Sequence, residues 1–391
     1  MKTQVAVIGA GPAGLFLAHL LRQQGVESVI LEAHSREYVE ARVRAGVLEA
    51  GTNDTLNRLG LGERMAREGM RDEGLDIRFR GGTIHMDFPA LVGRHVCVYG
   101  QQEVVKDLIG ARLAAGDPIL FDARATRLEG LDTATPRVHY EQDGIERTLD
   151  CVFVAGCDGF HGIARESIPS DRCTTYVRQY DFSWLGILVK APPLPDMTYA
   201  NHDRGFALCS RRSPSISRLY LQVPSSDRHE NWSDARIWEE LHARMYDNGG
   251  TEVREGEIFQ RDMAQLRAFI ASPMQYGKLF LAGDAAHIVP PTGAKGLNMA
   301  VADARVLARS LVQYFSSGSQ TGLERYSDEC APRVWKTIRY SAWMTGMLHR
   351  FDGHSPFDRG MQLAELEYIA GSEAARRTIA EQYVMLSDVA D

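Results

Sequence analysis

The 391-residue chain has no CxxC pair and no disulfide framework; its six cysteines, Cys97, Cys151, Cys157, Cys173, Cys209 and Cys330, are scattered. In a chain of this size that usage points to buried thiols in a reducing cytoplasm, and it offers no metal-ligand spacing. No apolar run approaches the roughly 20 residues needed to cross a bilayer. Val5–Ile8, the first apolar segment, is too short for a signal-peptide core and runs straight into glycines. Basic excess is missing too: 44 Lys and Arg stand against 51 Asp and Glu, a net charge of -7, which gives no support for nucleic-acid or anionic-membrane binding. There is no internal repeat and no low-complexity tract. What remains, 44% hydrophobic and 24% charged, is the composition of an ordinary soluble protein long enough for two domains.

Glycines are present, and in a telling order. Gln4–Ile8 is a β-rich run that enters Gly9-Ala10-Gly11-Pro12-Ala13-Gly14; Leu15, Leu17, Ala18, Leu20 and Leu21 then keep helical spacing, and Ser28–Leu31 is a second strand ending at Glu32. This is the βαβ dinucleotide fingerprint. Gly9 allows the tight turn, Gly11 lets a pyrophosphate approach the backbone, Gly14 lets helix and strand pack closely, and Glu32 accepts hydrogen bonds from a ribose. An acid at that place repels a 2′-phosphate, so the expected nucleotide is FAD or NAD and not NADP. Arg42 and Arg44 follow in a loop where guanidinium groups can grip phosphates. Arg36 reads equally well as a solvated surface residue.

A second organising stretch is Lys278–Asn298, KLFLAGDAAHIVPPTGAKGLN. Leu279–Ala282 reads as a strand, Gly283-Asp284 breaks it, and Pro290, Pro291, Gly293 and Gly296 hold a tight loop. From Leu297 onward Ala300, Val301, Ala304, Leu307 and Leu311 keep a helical period. A strand thus delivers a carboxylate beside the positive end of a helix, which stabilises negative charge. Between the two stretches, residues 49–80 read as mainly helical, followed by a strand at Val96–Tyr99 and a helix opening at Gln101. Cys151–Ala155 is an apolar strand ending in Gly156-Cys157-Asp158-Gly159. Tyr180–Val189, Gly205–Ser210 and Ser217–Val223 are β-rich without helical period, which predicts a mostly antiparallel sheet. Asp234–Tyr246 is an amphipathic helix, and the last hundred residues are helical apart from Gly353–Pro356. The expected fold is α/β: a Rossmann-like dinucleotide domain over 1–175, completed by 268–298; an inserted β-sheet substrate domain over 176–267; and a helical region over 299–391.

Three motifs therefore occur in fixed order: GxGxxG with its acid, CDGFHG at Cys157–Gly162, and GDAAH at Gly283–His287. The triple resembles the single-component flavin-dependent aromatic hydroxylases. RAGVLE at Arg44–Glu49, VYGQ at Val98–Gln101, YANH at Tyr199–His202, RGFALCS at Arg204–Ser210, HIVPPTGAKGLN, and ELEY at Glu365–Tyr368 are similar to the members acting on 4-hydroxybenzoate, over essentially the whole chain. The resemblance implies conversion of 4-hydroxybenzoate, NADPH and O2 to 3,4-dihydroxybenzoate, NADP+ and water through a flavin C4a-hydroperoxide, with the flavin swinging outward to be reduced. It further implies Tyr199 as the phenol that deprotonates the substrate, Tyr383 as its relay, and Ser210, Arg212 and Tyr220 as the carboxylate clamp. Pro291 is the implied carbonyl contact of the substrate hydroxyl, and Thr292 a neighbour of the oxygen-transfer site. For FAD it implies Gly9, Gly11, Gly14, Glu32, Arg42, Arg44, Val47, Gln101, Asp158, Arg218, Asp284, Leu297 and Asn298. His34, Arg36, Tyr38, His161 and Arg165 are implied for the nicotinamide nucleotide. The same likeness implies a homodimer; cysteine usage points to the cytoplasm, and no metal, nucleic-acid or membrane partner is expected.

The chain departs from that pattern in three places. Asp72 stands where the family's proton path uses a histidine, and a carboxylate with a reference pKa near 3.9 holds a proton far less often than an imidazole. Ala33 and His34 replace the arginine and glutamine common in NADPH-preferring relatives, which leaves NADH use open. Met197 and Thr198 make the lining before Tyr199 more polar, which admits related benzoates such as 4-aminobenzoate. The alternatives are the same chemistry on another benzoate, or a non-catalytic FAD-binding sensor of aromatic acids.

Overall fold

The computed structural model describes residues 1–44, 46–248 and 250–385, with only the backbone described at Met385. Ala45 of the RAGVLE segment and residues 386–391 of the helical region lie outside these. Val5–Ile8 occupies the middle of a six-stranded sheet because all four of its side chains are apolar and both sheet faces are covered. It pairs in parallel with Ser28–Leu31 on one side and Phe153–Gly156 on the other; Ile119–Leu120 and Leu279–Leu281 extend the sheet, and Gln275–Tyr276 closes one edge antiparallel. Helix Pro12–Gln23 packs against the long helix Gly296–Ser317 across this sheet. Leu297, Ala300, Val301, Ala304, Leu307 and Leu311 are all buried there, as their spacing predicts.

The second large sheet has eight strands, in the order His287–Ile288, Glu257–Ser272, Thr174–Lys190, Ile216–Pro224, Ala207–Ser213, Met197–Asn201, Gly74–Phe79 and Gly82–Asp87. Every pairing is antiparallel except that of Met197–Asn201 with Gly74–Phe79. The sheet thus draws on 176–267 and on segments before and after it. Helices Tyr326–Leu348, Pro356–Gly371 and Glu373–Met385 follow the dinucleotide-binding half and bury Tyr340, Leu366 and Tyr383 against the eight-stranded sheet.

The helical reading of residues 49–80 is corrected by the structure. Helices occupy only Ala50–Arg58 and Glu63–Glu68; Met70–Asp72 and Gly74–Phe79 are strands. Leu75 and Ile77 are fully buried at a spacing of two, and Gly81 turns the chain at φ 76° into the partner strand. Alternation over so few residues is masked by the charged residues between them, and pairing with Met197–Asn201 decides the conformation. None of the helices among the described residues is long and apolar enough to cross a membrane.

Candidate active site

At the dinucleotide end each glycine has a distinct reason. Gly9 has φ 102°, and a Cβ there would stand 2.4 Å from the Cys157 carbonyl oxygen; a Cβ at Gly14 would stand 2.1 Å from the Gly9 oxygen. Gly11 heads helix Pro12–Gln23 and has nothing within 4 Å of that place, so the approach to the helix start is open. Glu32 accepts the Ala10 N–H at 2.8 Å and the His34 N–H at 2.9 Å, which fixes its carboxylate beside that turn. Arg42 is exposed at the end of helix Arg36–Ala41, and Gln101 opens helix Gln101–Ala114 half-buried.

Asp158 and Asp284 both end strands of the six-stranded sheet. Asp158 accepts the Ala164 N–H at 2.9 Å with one oxygen while the other is buried without a partner, and burial pushes its carboxyl up to about 6. The Asp284 side chain is accessible but walled by protein, so desolvation raises its carboxyl against the pull of His287, Arg44 and Arg42. Burial likewise lowers the Arg44 guanidinium, which feels Arg42, Asp262, Asp284 and Arg218. Arg44 and Asp284 therefore share one cleft.

The turn carrying Asp284 is held from beneath. Asp303, on the long helix, accepts the Gly283 N–H at 3.0 Å and contacts His287 Nε2 at 2.6 Å and Arg333 at 2.9 Å. Burial opposes its charge, but His287, Arg333 and the Gly283 N–H together keep its carboxyl below the ordinary range. At the start of the same helix, Asn298 accepts from the Glu49 N–H at 2.9 Å and the Thr52 hydroxyl at 2.8 Å, and donates to the Val47 carbonyl at 2.9 Å. Its side chain is a clamp between helix and loop. What Leu297 and Asn298 offer a ligand is their backbone N–H groups, which have no acceptor in the first turn. Lys295 is buried beside them, paired with Glu49 and donating to the Tyr383 carbonyl at 2.5 Å.

Beyond this cleft a cavity opens, and Val47, Tyr199, Ser210, Arg212, Arg218, Tyr220 and Pro291 all line it. Alternation on paired strands aims them there: Leu208 lies between Tyr199 and Tyr220, and Ser210 opposite Arg218. Arg212 donates to the Arg44 carbonyl at 3.0 Å and to Gln102, and burial lowers its guanidinium to about 10, still protonated at neutral pH. The Ser210 hydroxyl donates to the Arg218 carbonyl at 3.2 Å. Arg218 donates to the Tyr220 hydroxyl at 2.5 Å and to Asp262 at 3.1 Å, with its remaining nitrogen buried and unpartnered.

Tyr199 is 1% exposed and donates its hydroxyl to the Thr292 carbonyl at 2.7 Å, while the Thr292 side chain bonds Thr345 at 2.8 Å. Tyr383 donates its hydroxyl to the Met197 sulfur at 2.9 Å and is close enough to Tyr199 for the two to act on each other; burial raises both phenols. Asp72, 1% exposed with one oxygen unpartnered, acts electrostatically on both. Its expected weakness as a proton holder is corrected here: burial outweighs Arg211 and lifts its carboxyl to about 6, close to an ordinary imidazole.

The residues assigned to the nicotinamide form two groups. The His34 and Tyr38 rings lie 4.3 Å apart at a tilt of 34°, with Arg36 paired to Glu40 at 2.6 Å. Farther along the chain, Arg165 donates to the Phe160 carbonyl at 2.7 Å and lies 4.8 Å from the Phe269 ring, with His161 edge-on to Phe160. Several wall residues escaped the sequence reading. Trp184 lines the cavity, and its indole N–H donates to His349 Nε2 at 2.8 Å; His349 in turn contacts the Thr345 carbonyl at 3.0 Å and stacks 4.1 Å from Phe206. A lone histidine late in a helix gives no signal of that contact.

The sequence matches the family described as FAD binding domain over residues 2–341. It is 46% identical over 388 residues, 99% of this chain and 96% of the relative, to p-hydroxybenzoate hydroxylase of Acinetobacter baylyi. The chain belongs to the FAD-dependent aromatic hydroxylases. As such a hydroxylase it is a monooxygenase that uses FAD and NAD(P)H on an aromatic compound. Solved structures agree in fold: p-nitrophenol 4-monooxygenase of Pseudomonas putida DLL-E4 superposes with a TM-score of 0.81 at 20% identity, covering 99% of this chain and 98% of that one. The flavin-dependent halogenase CmlS gives a TM-score of 0.78 at 19% identity, covering 100% of this chain and 74% of its own, so the fold alone does not choose the reaction. The residues of this hydroxylase fit FAD: the open approach at Gly11, the unpartnered Asp158 oxygen and the accessible Asp284 carboxylate are what a bound dinucleotide would engage.

His349→Leu tests the wall. At pH 7.5 it should cost about 1–3 kcal/mol in urea unfolding, because the Trp184 N–H loses its acceptor. Burial lowers His349 from 6.5 to about 3, so its stabilisation is complete above 6.5 and lost as pH falls toward 3. The deficit of the variant should therefore shrink at pH 5.

Proposed function

We propose that this hydroxylase adds one oxygen atom of O2 to 4-hydroxybenzoate beside its hydroxyl, giving 3,4-dihydroxybenzoate, while NAD(P)H is oxidised and water formed. One observation carries the reading: a cation with hydroxyl partners, Arg212, Ser210 and Tyr220, faces the same cavity as Tyr199, a buried phenol with a second buried phenol, Tyr383, beside it. An aromatic ring with an acid group and a hydroxyl matches both features. Arg212 and the two hydroxyls take the carboxylate; a charged fork plus neutral donors holds an anion more firmly than either alone. The 46% identical relative carries the substrate in its name.

FAD, held by Gly11, Glu32, Arg44, Asp158, Asp284 and the N–H groups of Leu297 and Asn298, supplies electron uptake from the nicotinamide and activation of O2. The chain itself manages the substrate proton. Electrophilic oxygen needs an electron-rich ring, and a phenolate is richer than a phenol. Tyr199 now donates to the Thr292 carbonyl, and Tyr383 beside it donates to the Met197 sulfur. Both phenols are raised by burial and remain neutral, so they act by rotation: Tyr199 accepts the substrate proton and passes its own to Tyr383, with Asp72 as outer acceptor. Pro291 borders the hydroxyl end, and Trp184, Leu208 and Ala294 exclude water. Arg218 places the ring system for reduction. Arg42 and Gln101 complete the grip on FAD. His34, Arg36, Tyr38, His161 and Arg165 receive the nicotinamide nucleotide. Because Glu40 already neutralises Arg36, NADPH is favoured only weakly over NADH.

We also assign a homodimer. Phe357, Met361 and Tyr368 share one face of helix Pro356–Gly371 and are 76%, 59% and 62% exposed, an apolar stripe suited to a second copy. Six free cysteines suit a reducing cytoplasm.

Product analysis with 4-hydroxybenzoate, run with NADPH and NADH in parallel, should show 3,4-dihydroxybenzoate; Tyr199→Phe should keep FAD and ligand binding while product yield falls by about 100-fold or more. A catechol-free outcome with reductant consumed would sink the assignment. For Asp72, stopped-flow absorbance should show substrate ionisation speeding up as pH rises through about 6, where the carboxyl becomes an acceptor; Asp72→Asn should flatten that rise, and Asp72→His should restore it. Stability runs the other way, since a raised carboxyl stabilises below its unfolded value and loses this as pH climbs through about 6. Phe357→Glu with Met361→Glu should sediment as a monomer with FAD retained; a parent chain that is itself monomeric would remove the dimer.

A further inference from the structure

A second cluster of ligand-bearing side chains lies outside the cavity, where the hairpin Gly74–Phe79 and Gly82–Asp87 joins the eight-stranded sheet. Register places Asp76 opposite His85 on one side and beside Thr198 on the other, which brings Asp196 to the same edge. His85 Nδ1 is 2.8 Å from Asp76 Oδ1. Asp76, His85 and Asp196 each present one ligand atom, all within 4.8 Å of one another. Gly74 makes the convergence possible: a Cβ there would stand 2.9 Å from His85 Cε1 and 3.2 Å from Asp196 Oδ1. The two carboxylates are half-buried and the imidazole is exposed, so the group is shaped yet reachable from solvent.

A second observation points to the same place. The buried Asp72 keeps one oxygen without a partner, and Asp196 and Asp76 are among the charges that act on it. Asp196 in turn lies 3.7 Å from the Arg211 guanidinium, which donates to the Arg71 carbonyl at 3.3 Å and also acts on Asp72. Arg211 also lines the substrate cavity.

We propose that Asp76, His85 and Asp196 bind a divalent transition cation of the zinc class, and that the bound ion competes with Arg211 for Asp196 and so reaches the cavity. An imidazole with two carboxylates is a donor set that zinc takes with water in the fourth position, whereas magnesium prefers all-oxygen shells. Binding displaces the His85–Asp76 hydrogen bond; the neutral imidazole ligates through Nδ1 and carries its one proton on Nε2. Freed from Asp196, the Arg211 guanidinium changes the charge on the cavity wall, and by linkage the ion and the substrate anion alter each other's affinity. This coupling rests on the substrate reading above; the binding site does not.

Calorimetric titration of the FAD-loaded protein with ZnCl2 should give one ion per chain, with affinity falling by about tenfold or more in His85→Ala and in Asp196→Asn. MgCl2 at the same concentration should give no binding. Gly74→Ala, which drives His85 and Asp196 apart, should give the same loss, with FAD content and circular dichroism certifying each variant as folded. No stoichiometric zinc uptake, or uptake that His85→Ala leaves unchanged, overturns the site. The affinity for 4-hydroxybenzoate, read by flavin fluorescence, should shift severalfold with zinc in the parent chain and not in His85→Ala. Zinc binding with an unmoved benzoate affinity overturns the coupling, whereas a chain that binds zinc but no benzoate at all indicts the substrate reading instead.

Discussion

A single buried carboxylate holds the two halves of the site in register. Asp303 ties the Gly283 N–H, His287 and Arg333 together at 2.6–3.0 Å, in a place where an unpaired charge would be expensive. The three partners come from a turn, a short strand and a distant helix, so the network forms only when all have docked. Asp284 protrudes on one side of that turn toward the dinucleotide cleft. On the other side the chain runs through Pro290 and Pro291 to Thr292, whose carbonyl receives Tyr199 from the eight-stranded sheet. Cofactor cleft and substrate cavity are thereby fixed to the same short loop.

The cavity depends on burial as much as on contact. Desolvation leaves Tyr199 and Tyr383 as neutral phenols and brings Asp72 near 6. The same effect keeps His349 neutral, where it accepts from Trp184 and stiffens the wall. Arg212 is the exception: burial lowers its guanidinium only to about 10, so it stays charged at neutral pH, with the Arg44 carbonyl and Gln102 as its acceptors. The polarity of the site is therefore asymmetric, cationic around the clamp and neutral around the phenol pair.

Much of the fold was legible from special-backbone residues. The glycines of the first turn and the proline-glycine loop mark conformations that few other residues adopt, and strands, turn and helix appear at those places. Reading failed where pattern was weak. Residues 70–79 carry charges between their apolar positions and read as helix until the neighbouring strand claims them. Glu257–Ser272 went unread as well, being a 16-residue strand with only partial burial over its first half. Among the site residues, motif-borne ones were found readily, while Trp184, His349 and Asp303 stand in stretches with no local mark, and Lys295 was passed over inside the proline-glycine loop.

By itself the sequence determined the dinucleotide fold, the family and the chemical types available to the site, because glycine geometry and charged motifs are local properties. Tertiary structure alone decided which of those groups meet. It turned Asn298 from a free amide into a clamp, shifted Asp72 toward an imidazole's range, and set Asp76, His85 and Asp196 at one sheet edge. The reason is physical: desolvation and strand register depend on residues far away in the chain, and no window of sequence contains them.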